Sequence, residues 1–273
     1  MTELQRIEFD LLKIFVDICE KLNLRYYLVC GSALGAVKYS GFIPWDDDLD
    51  VALPRKDYET FCEKAQSLLP DNIFLQNYKT DSAFPQFYSK LRNSRTTYIE
   101  KSVRHLKMNH GVYIDVFPLD GYPKDPRKAK KLEVKKRFLK LKLNCAFLPS
   151  AQQKMTSRTF YAIERCLGLH KRTSKTAKKI EELISEHPLE TSDLWCNHGN
   201  WQGKLEYAPC DYYGDGAWVD FEGLQVRVPE KYDEYLTQKY GNWRAELPAE
   251  EQIGHHYFEV MDLSKSYTEY IKN

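Results

Sequence analysis

The chain has no apolar run approaching the roughly 18 residues that a helix needs to cross a bilayer, so no membrane-spanning helix is expected. Its first ten residues, MTELQRIEFD, lack the basic start and apolar stretch of a secretory leader. Seven cysteines, an odd number, fall at no regular spacing and include no paired C-x-x-C. That excludes a disulfide framework and points to a reducing compartment. There is no internal repeat, which excludes a solenoid. These absences together predict a cytoplasmic globular protein of one large domain or two intimate ones.

What is present is unevenly distributed. Between Lys124 and Lys179 stand eighteen Lys or Arg against three acids, a local excess of +15 in a chain whose net charge is +1. The remainder is therefore strongly acidic, and a basic block on an acidic body is a statement about partners. Such a block reads in three ways: helices lying on an anionic membrane surface, a nucleic-acid patch, or a solvated helical face. Leu132, Leu139 and Leu143 share a side, although Lys135 and Lys136 interrupt the stripe. No recognition motif accompanies the charge, so no nucleic acid is expected.

Leu4, Ile7, Leu11, Ile14, Phe15, Ile18 and Leu22 repeat at helical spacing and predict a first helix from Thr2 to about Asn23. A buried strand follows at Tyr26 to Cys30, with Gly31 as the turn and Ser32 capping a short helix, Ala33 to Lys38. Leu49 to Leu53 reads as a strand ended by Pro54, and Tyr58, Phe61, Ala65 and Leu68 as a helix. Further strands are expected at Ile73–Tyr78, Gln86–Arg92, Thr96–Ile99, Val112–Phe117 and around Trp218–Val228, with a last helix from Lys231 to Tyr240. Pro126 to Pro188 reads as helical, projecting from the core, with a break at Pro149-Ser150. Strand–helix alternation followed by helices suggests an α/β or α+β core. The expected divisions are a catalytic core (1–123), a basic helical insertion (124–188) and an aromatic-rich part completing the catalytic domain (189–273).

The stretch "GSALGAVKYSGFIPWDDDLDVALP" places Asp46, Asp47, Asp48 and Asp50 at the start of an apolar strand. In extended chain Asp46, Asp48 and Asp50 point one way. Three neighbouring carboxylates repel unless a cation lies among them, and hard oxygen donors suit Mg²⁺ or Mn²⁺. A solvated acidic turn is the alternative. Gly31-Ser32, directly after a strand, would let backbone N–H groups approach a phosphate. Asp115 stands inside the apolar run "GVYIDVFPL", where a carboxylate requires a partner. A metal held by Asp48 and Asp50 would provide one.

Gly-Ser, a spacer, "DLD" and a later strand acid resemble the nucleotidyltransferase superfamily. The fuller text, with "YSKLRNSRTTY", "VYIDVFPLDGYP" and "FEGLQVRVPEKYDEYLTQKYGNWRAELP" before His255-His256, resembles the LicD/fukutin family over most of the chain. The resemblance implies an α+β fold, with a nucleotidyltransferase-like mixed sheet. It implies transfer of a phospho-alcohol, typically phosphocholine from CDP-choline or a related CDP-alcohol. The acceptor would be a sugar hydroxyl of a lipid-linked surface glycan or teichoic acid precursor, and CMP would leave. It implies that Asp48 and Asp50 bind the metal, Asp46 supports it and Asp115 completes the acidic set. In phosphoryl transfer such a strand acid would bind metal or take the proton of the attacking hydroxyl, so Asp115, or another acid of the set, is the candidate base.

Lys90 and Arg92, two apart on a strand, share a face and could grip a diphosphate or simply defend a sheet edge. Of His255 and His256, the latter is the slightly favoured ligand-facing residue. Choline would be recognised by aromatic faces, for which Trp45, Tyr88, Trp195, Trp201, Tyr212, Tyr213, Trp218 and Trp243 are candidates. Cys196, His198 and Cys210 are the nearest candidates for zinc, which is not expected. The rivals to this reading are a nucleotidyltransferase releasing pyrophosphate and a non-catalytic basic adaptor.

Overall fold

The computed structural model describes residues 1–144, 147, 173–199, 203–254 and 258–271. The fold is α+β, with a seven-stranded mixed sheet at its centre. Helix α1 (Glu3–Lys21) starts in a capping box, where Thr2 and Gln5 satisfy each other's backbone N–H groups. Its apolar stripe, including Leu11, Leu12 and Phe15, is buried in the main core. Strand β1 (Tyr27–Leu28) is shorter than the sequence suggests, because Cys30 turns the chain with φ +55° and opens α2 (Cys30–Tyr39). The turn therefore falls one residue before Gly31, and Ser32 lies inside the helix rather than capping it.

Strand β2 (Asp50–Pro54) runs into α3 (Arg55–Lys64), and β3 (Ile73–Gln76), β4 (Ser89–Asn93) and β5 (Thr97–Glu100) follow. The longest strand, β6 (Val112–Tyr122), is buried throughout and continues past the expected end at Phe117. Pro118 within it removes one N–H but does not stop pairing, since β2 runs alongside in register from Asp50↔Asp115 to Pro54↔Leu119. The order is β1-β2-β6-β4-β3, with β2–β6 the parallel pair; β7 (Leu194–Asn197) and β8 (Tyr207–Pro209) extend it from the far end of β6. Sequence reading anticipated neither β7 nor β8.

Two described helices of the basic segment, α4 (Pro126–Asn144) and α5 (Thr173–Ile184), pack on each other. They do not project freely: Leu143, Ala177 and Ile180 bury against Tyr78 and Phe87, and Leu132 and Leu183 against Tyr122 and Cys196. The expected break at Pro149-Ser150 lies outside the described residues. A short helix α6 (Cys210–Tyr213), the hairpin β9 (Ala217–Phe221) and β10 (Leu224–Val228), and α7 (Tyr232–Tyr240) then return over α2. The last strand, β11 (Phe258–Asp262), pairs antiparallel with β5.

Candidate active site

Sheet register puts three charged residues in one row. Asp50 on β2 lies beside Asp115 on β6, and Lys90 on β4 lies beside Asp115 from the other side. Residues in register on adjacent strands face the same way, so all three side chains emerge on one face. Lys90 Nζ stands 3.1 Å from Asp115 Oδ1 and 3.2 Å from the centre of the Tyr113 ring. The buried strand acid thus has a counter-charge within the protein, and it is Lys90. Burial still raises the Asp115 carboxyl above its ordinary range, with Lys90 opposing the shift and Asp48 adding to it.

The acidic loop reaches this row from α2. Ser32 Oγ accepts the Asp50 backbone N–H at 2.8 Å and so ties the helix to the first residue of β2. Gly31 packs close to the loop: a Cβ there would stand 2.8 Å from Asp46 Oδ2 and push that carboxyl aside. Gln5 of α1 donates to the carbonyls of Ile43 and Asp46, at 3.2 and 2.9 Å, and holds the loop from beneath. Burial and the neighbouring Asp48, to which it hydrogen-bonds, push the Asp46 carboxyl up to about 8.

A further acid joins the set. Glu8 on α1 is buried, its Oε2 has no hydrogen-bond partner among the described residues, and burial together with Asp48, Asp46, Asp47 and Asp115 raises its carboxyl well above the ordinary range. Sequence reading missed it, although Glu8 falls on the helix stripe between Leu4 and Leu11, where a charge is out of place.

The remaining candidates separate. Arg92 is 0 % exposed, and its guanidinium donates to Gln76 Oε1 and, at 2.6 Å, to the Gly111 carbonyl, with the Tyr113 ring 4.6 Å away. It braces β3 and the turn into β6 inside the protein, which corrects its reading as a phosphate contact. His255 and His256 lie outside the described residues; their described neighbour Gly254 backs onto Asp47. Cys196 Sγ contacts His198 Nδ1 at 3.5 Å, and the same nitrogen lies 3.1 Å from Lys136 Nζ.

Among the described residues no three of His, Cys, Asp and Glu stand grouped as a ready metal shell. By chemistry, however, the set fits a hard divalent cation. Its donors are all carboxylates, and one oxygen of Glu8 is buried with no hydrogen-bond partner among the described residues. Asp46, Asp48 and Asp50 line a cleft of about 460 Å³ that also opens on Gly31 and the N-terminal turn of α2.

Residues 23–164 match the family model described as LicD/FKTN/FKRP, nucleotidyltransferase domain. The chain is 27% identical over 272 residues to the lipopolysaccharide cholinephosphotransferase LicD of Haemophilus influenzae, covering 96% of this chain and 98% of that one. It is 30% identical over 116 residues to the uncharacterized protein RP689 of Rickettsia prowazekii, covering 42% and 40% of the two chains. The family model spans just over half of the chain and includes α2, β2, β4 and β6, which carry Ser32, Asp50, Lys90 and Asp115; the protein belongs to the LicD/FKTN/FKRP nucleotidyltransferase-domain family.

Proposed function

We propose that the protein is a phosphotransferase that moves phosphocholine, or a similar phospho-alcohol, from a CDP-activated donor to a sugar hydroxyl of a surface glycan. The acceptor is lipopolysaccharide or a teichoic acid precursor, carried on lipid. The acceptor oxygen attacks the phosphorus bearing the alcohol, the bond from that phosphorus to CMP breaks, and the hydroxyl proton passes to a carboxylate. Asp115 is the candidate base, because burial raises its affinity for a proton above that of an ordinary carboxylate. Lys90 beside it offsets charge on the transferring phosphoryl group, and the α2 N-terminus with Gly31 and Ser32 presents N–H groups to the donor phosphates. Asp48 and Asp50, with Asp46 and Glu8 at hand, would hold Mg²⁺ or Mn²⁺, which would neutralise the diphosphate.

The observation that carries this reading is the in-register row Lys90–Asp115–Asp50 beside a cleft lined by Asp46 and Asp48. A basic adaptor has no use for it. The family's printed description favours a second reading, nucleotidyl transfer with release of pyrophosphate. Purified protein with Mg²⁺ and CDP-choline, CDP-ethanolamine, CDP-glycerol or CDP-ribitol should release CMP from one donor, and Asp48→Asn or Asp50→Asn should abolish that release with the fold intact. Pyrophosphate from CTP, with no CMP from any of the four, would establish the second reading instead.

A further inference from the structure

The cleft beside the acids has aromatic walls. Tyr39 and Trp45 come from the end of α2 and the acidic loop, Tyr240 from the end of α7, and Trp243 from the turn after it. The Tyr39 and Trp45 rings meet nearly at right angles, 77°, with centres 6.3 Å apart. A cation binds a ring face within about 6 Å of its centre, so a group seated in that angle is within range of both. Tyr240 is 36 % exposed and opens the wall to solvent.

These walls are held in place before any ligand arrives. Tyr39 Oη donates to Glu246 at 3.1 Å, and Trp243 Nε1 donates to Asp233 at 3.0 Å. Lys38 Nζ donates to the carbonyls of Trp243 and Ala245 and pairs with Glu246. Lys38, its ammonium 5.4 Å from the centre of the Tyr39 ring, is the single cationic side chain among the described lining residues, and the acids there are Asp46, Asp48 and Asp50. Aromatic faces alone would serve a nucleobase as well as a cation. Aromatic faces beside carboxylates favour a cation, and the rings together with the apolar Leu34 and Ile43 in the same lining suit the methyl groups of a quaternary one.

We propose that Tyr39, Trp45, Tyr240 and Trp243 form the seat of a fully methylated ammonium group, and that they set the choice of alcohol. The assignment rests on the transferase reading above for its substrate, but not for its existence as a binding site. It also agrees in reach. In a phosphocholine unit two carbons separate the ester oxygen from the nitrogen, so the ammonium seat must border the residues that handle phosphate. Gly31 and the three aspartates line the same cleft as the four rings.

The test uses the whole protein and two readouts. Tetramethylammonium and phosphocholine are titrated against it by saturation-transfer NMR, with phosphoethanolamine as the primary-ammonium control. Both methylated ligands should bind saturably and more tightly than the control. Trp45→Leu should weaken them about tenfold, and Trp45→Phe much less, as expected for loss of one strong cation–ring contact. Absence of saturable binding, or equal binding by Trp45→Leu of unchanged thermal stability, overturns the seat. CMP release from CDP-choline and CDP-ethanolamine is then compared in the parent, Trp45→Leu and Tyr240→Leu. Selective loss with the choline donor supports the seat, whereas equal loss with both overturns it and leaves the transferase reading standing. Tetramethylammonium binding without turnover of either donor leaves the seat standing and removes the transferase reading.

Discussion

Burial and neighbouring acids raise the carboxyls of Glu8 and Asp46, and for Glu8 the sign of that shift can be tested. With its folded carboxyl raised, Glu8 favours the folded state most at low pH. That contribution declines as pH rises above the ordinary glutamate range near 4.5, because the unfolded chain sheds its proton first. Glu8→Gln keeps the shape and offers an amide donor to the surrounding carboxylates. Its thermal stability relative to the parent should therefore rise between pH 5 and pH 8; a difference that stays flat over that range would show Glu8 to be ionised in the fold. The residue scale also divides what a sequence can reveal from what it cannot. Asp115 was readable as a buried acid in need of a partner, because apolar neighbours on both sides make its burial plain. That the partner is Lys90 was not readable, since the pairing depends on the β4–β6 register. Arg92 was misjudged for the same reason: strand periodicity gives a face, and only the sheet order says that this face at that point is interior.

At the scale of elements, β6 reads as apolar yet anchors an ion pair on each face. Asp115 meets Lys90 on one, and Asp120, an odd number of residues later, meets Arg55 of α3 on the other, at 2.6 and 2.7 Å through two nitrogens. Arg55 also reaches Glu181 of α5 at 3.4 Å, so this pair fastens the basic helices to the sheet. Asp120→Asn or Arg55→Met should each cost about 3–5 kcal/mol by denaturant unfolding, the penalty for orphaning one member of a buried pair. Replacing both with apolar residues of similar size should recover much of that; equal loss in the double variant would mean that packing, not charge, is at issue. Helix α4 adds a pH signature. Burial, reinforced by Lys136, depresses the Lys140 ammonium to about 8 while it donates to the His198 carbonyl at 2.7 Å. Between about pH 8 and the ordinary lysine value of 10.5 the unfolded chain holds this proton and the folded one does not, so this group makes stability rise with pH there. In Lys140→Gln that rise should be missing. The helices and strands around these pairs were largely legible from periodicity. Strand β7 was not, because "LWCN" is too short to show alternation and owes its form to pairing with the end of β6.

For the molecule as a whole, the packing of α4 sorts its charge. Lys136 turns inward toward Glu133 and His198, while Lys130, Lys131 and Lys135 face outward together with the exposed Val134 and Phe138. No helix among the described residues is long and apolar enough to cross a membrane. A basic face carrying exposed apolar residues is suited instead to lying on an anionic surface, which is where a lipid-linked acceptor would be met. Replacing Lys130, Lys131 and Lys135 with Gln should weaken sedimentation with phosphatidylglycerol vesicles, and added salt should do the same to the parent. Donor hydrolysis to CMP without acceptor should be unchanged. If the parent ignores such vesicles, α4 is a solvated face and the acceptor is delivered in some other way.

The cleft draws its walls from both ends of the chain, and this governs when it comes into being. Asp46 and Trp45 leave the ribosome early, but Tyr240 and Trp243 follow nearly two hundred residues later, and β11 must still return to pair with β5. A fragment ending at residue 164, where the family model stops, would contain Asp50, Lys90 and Asp115 but only half of the cleft. During synthesis the acidic loop therefore waits, one-sided, until the C-terminal segment closes over it. A ligand that spans both halves should act as a clasp, slowing unfolding most strongly in the last part made.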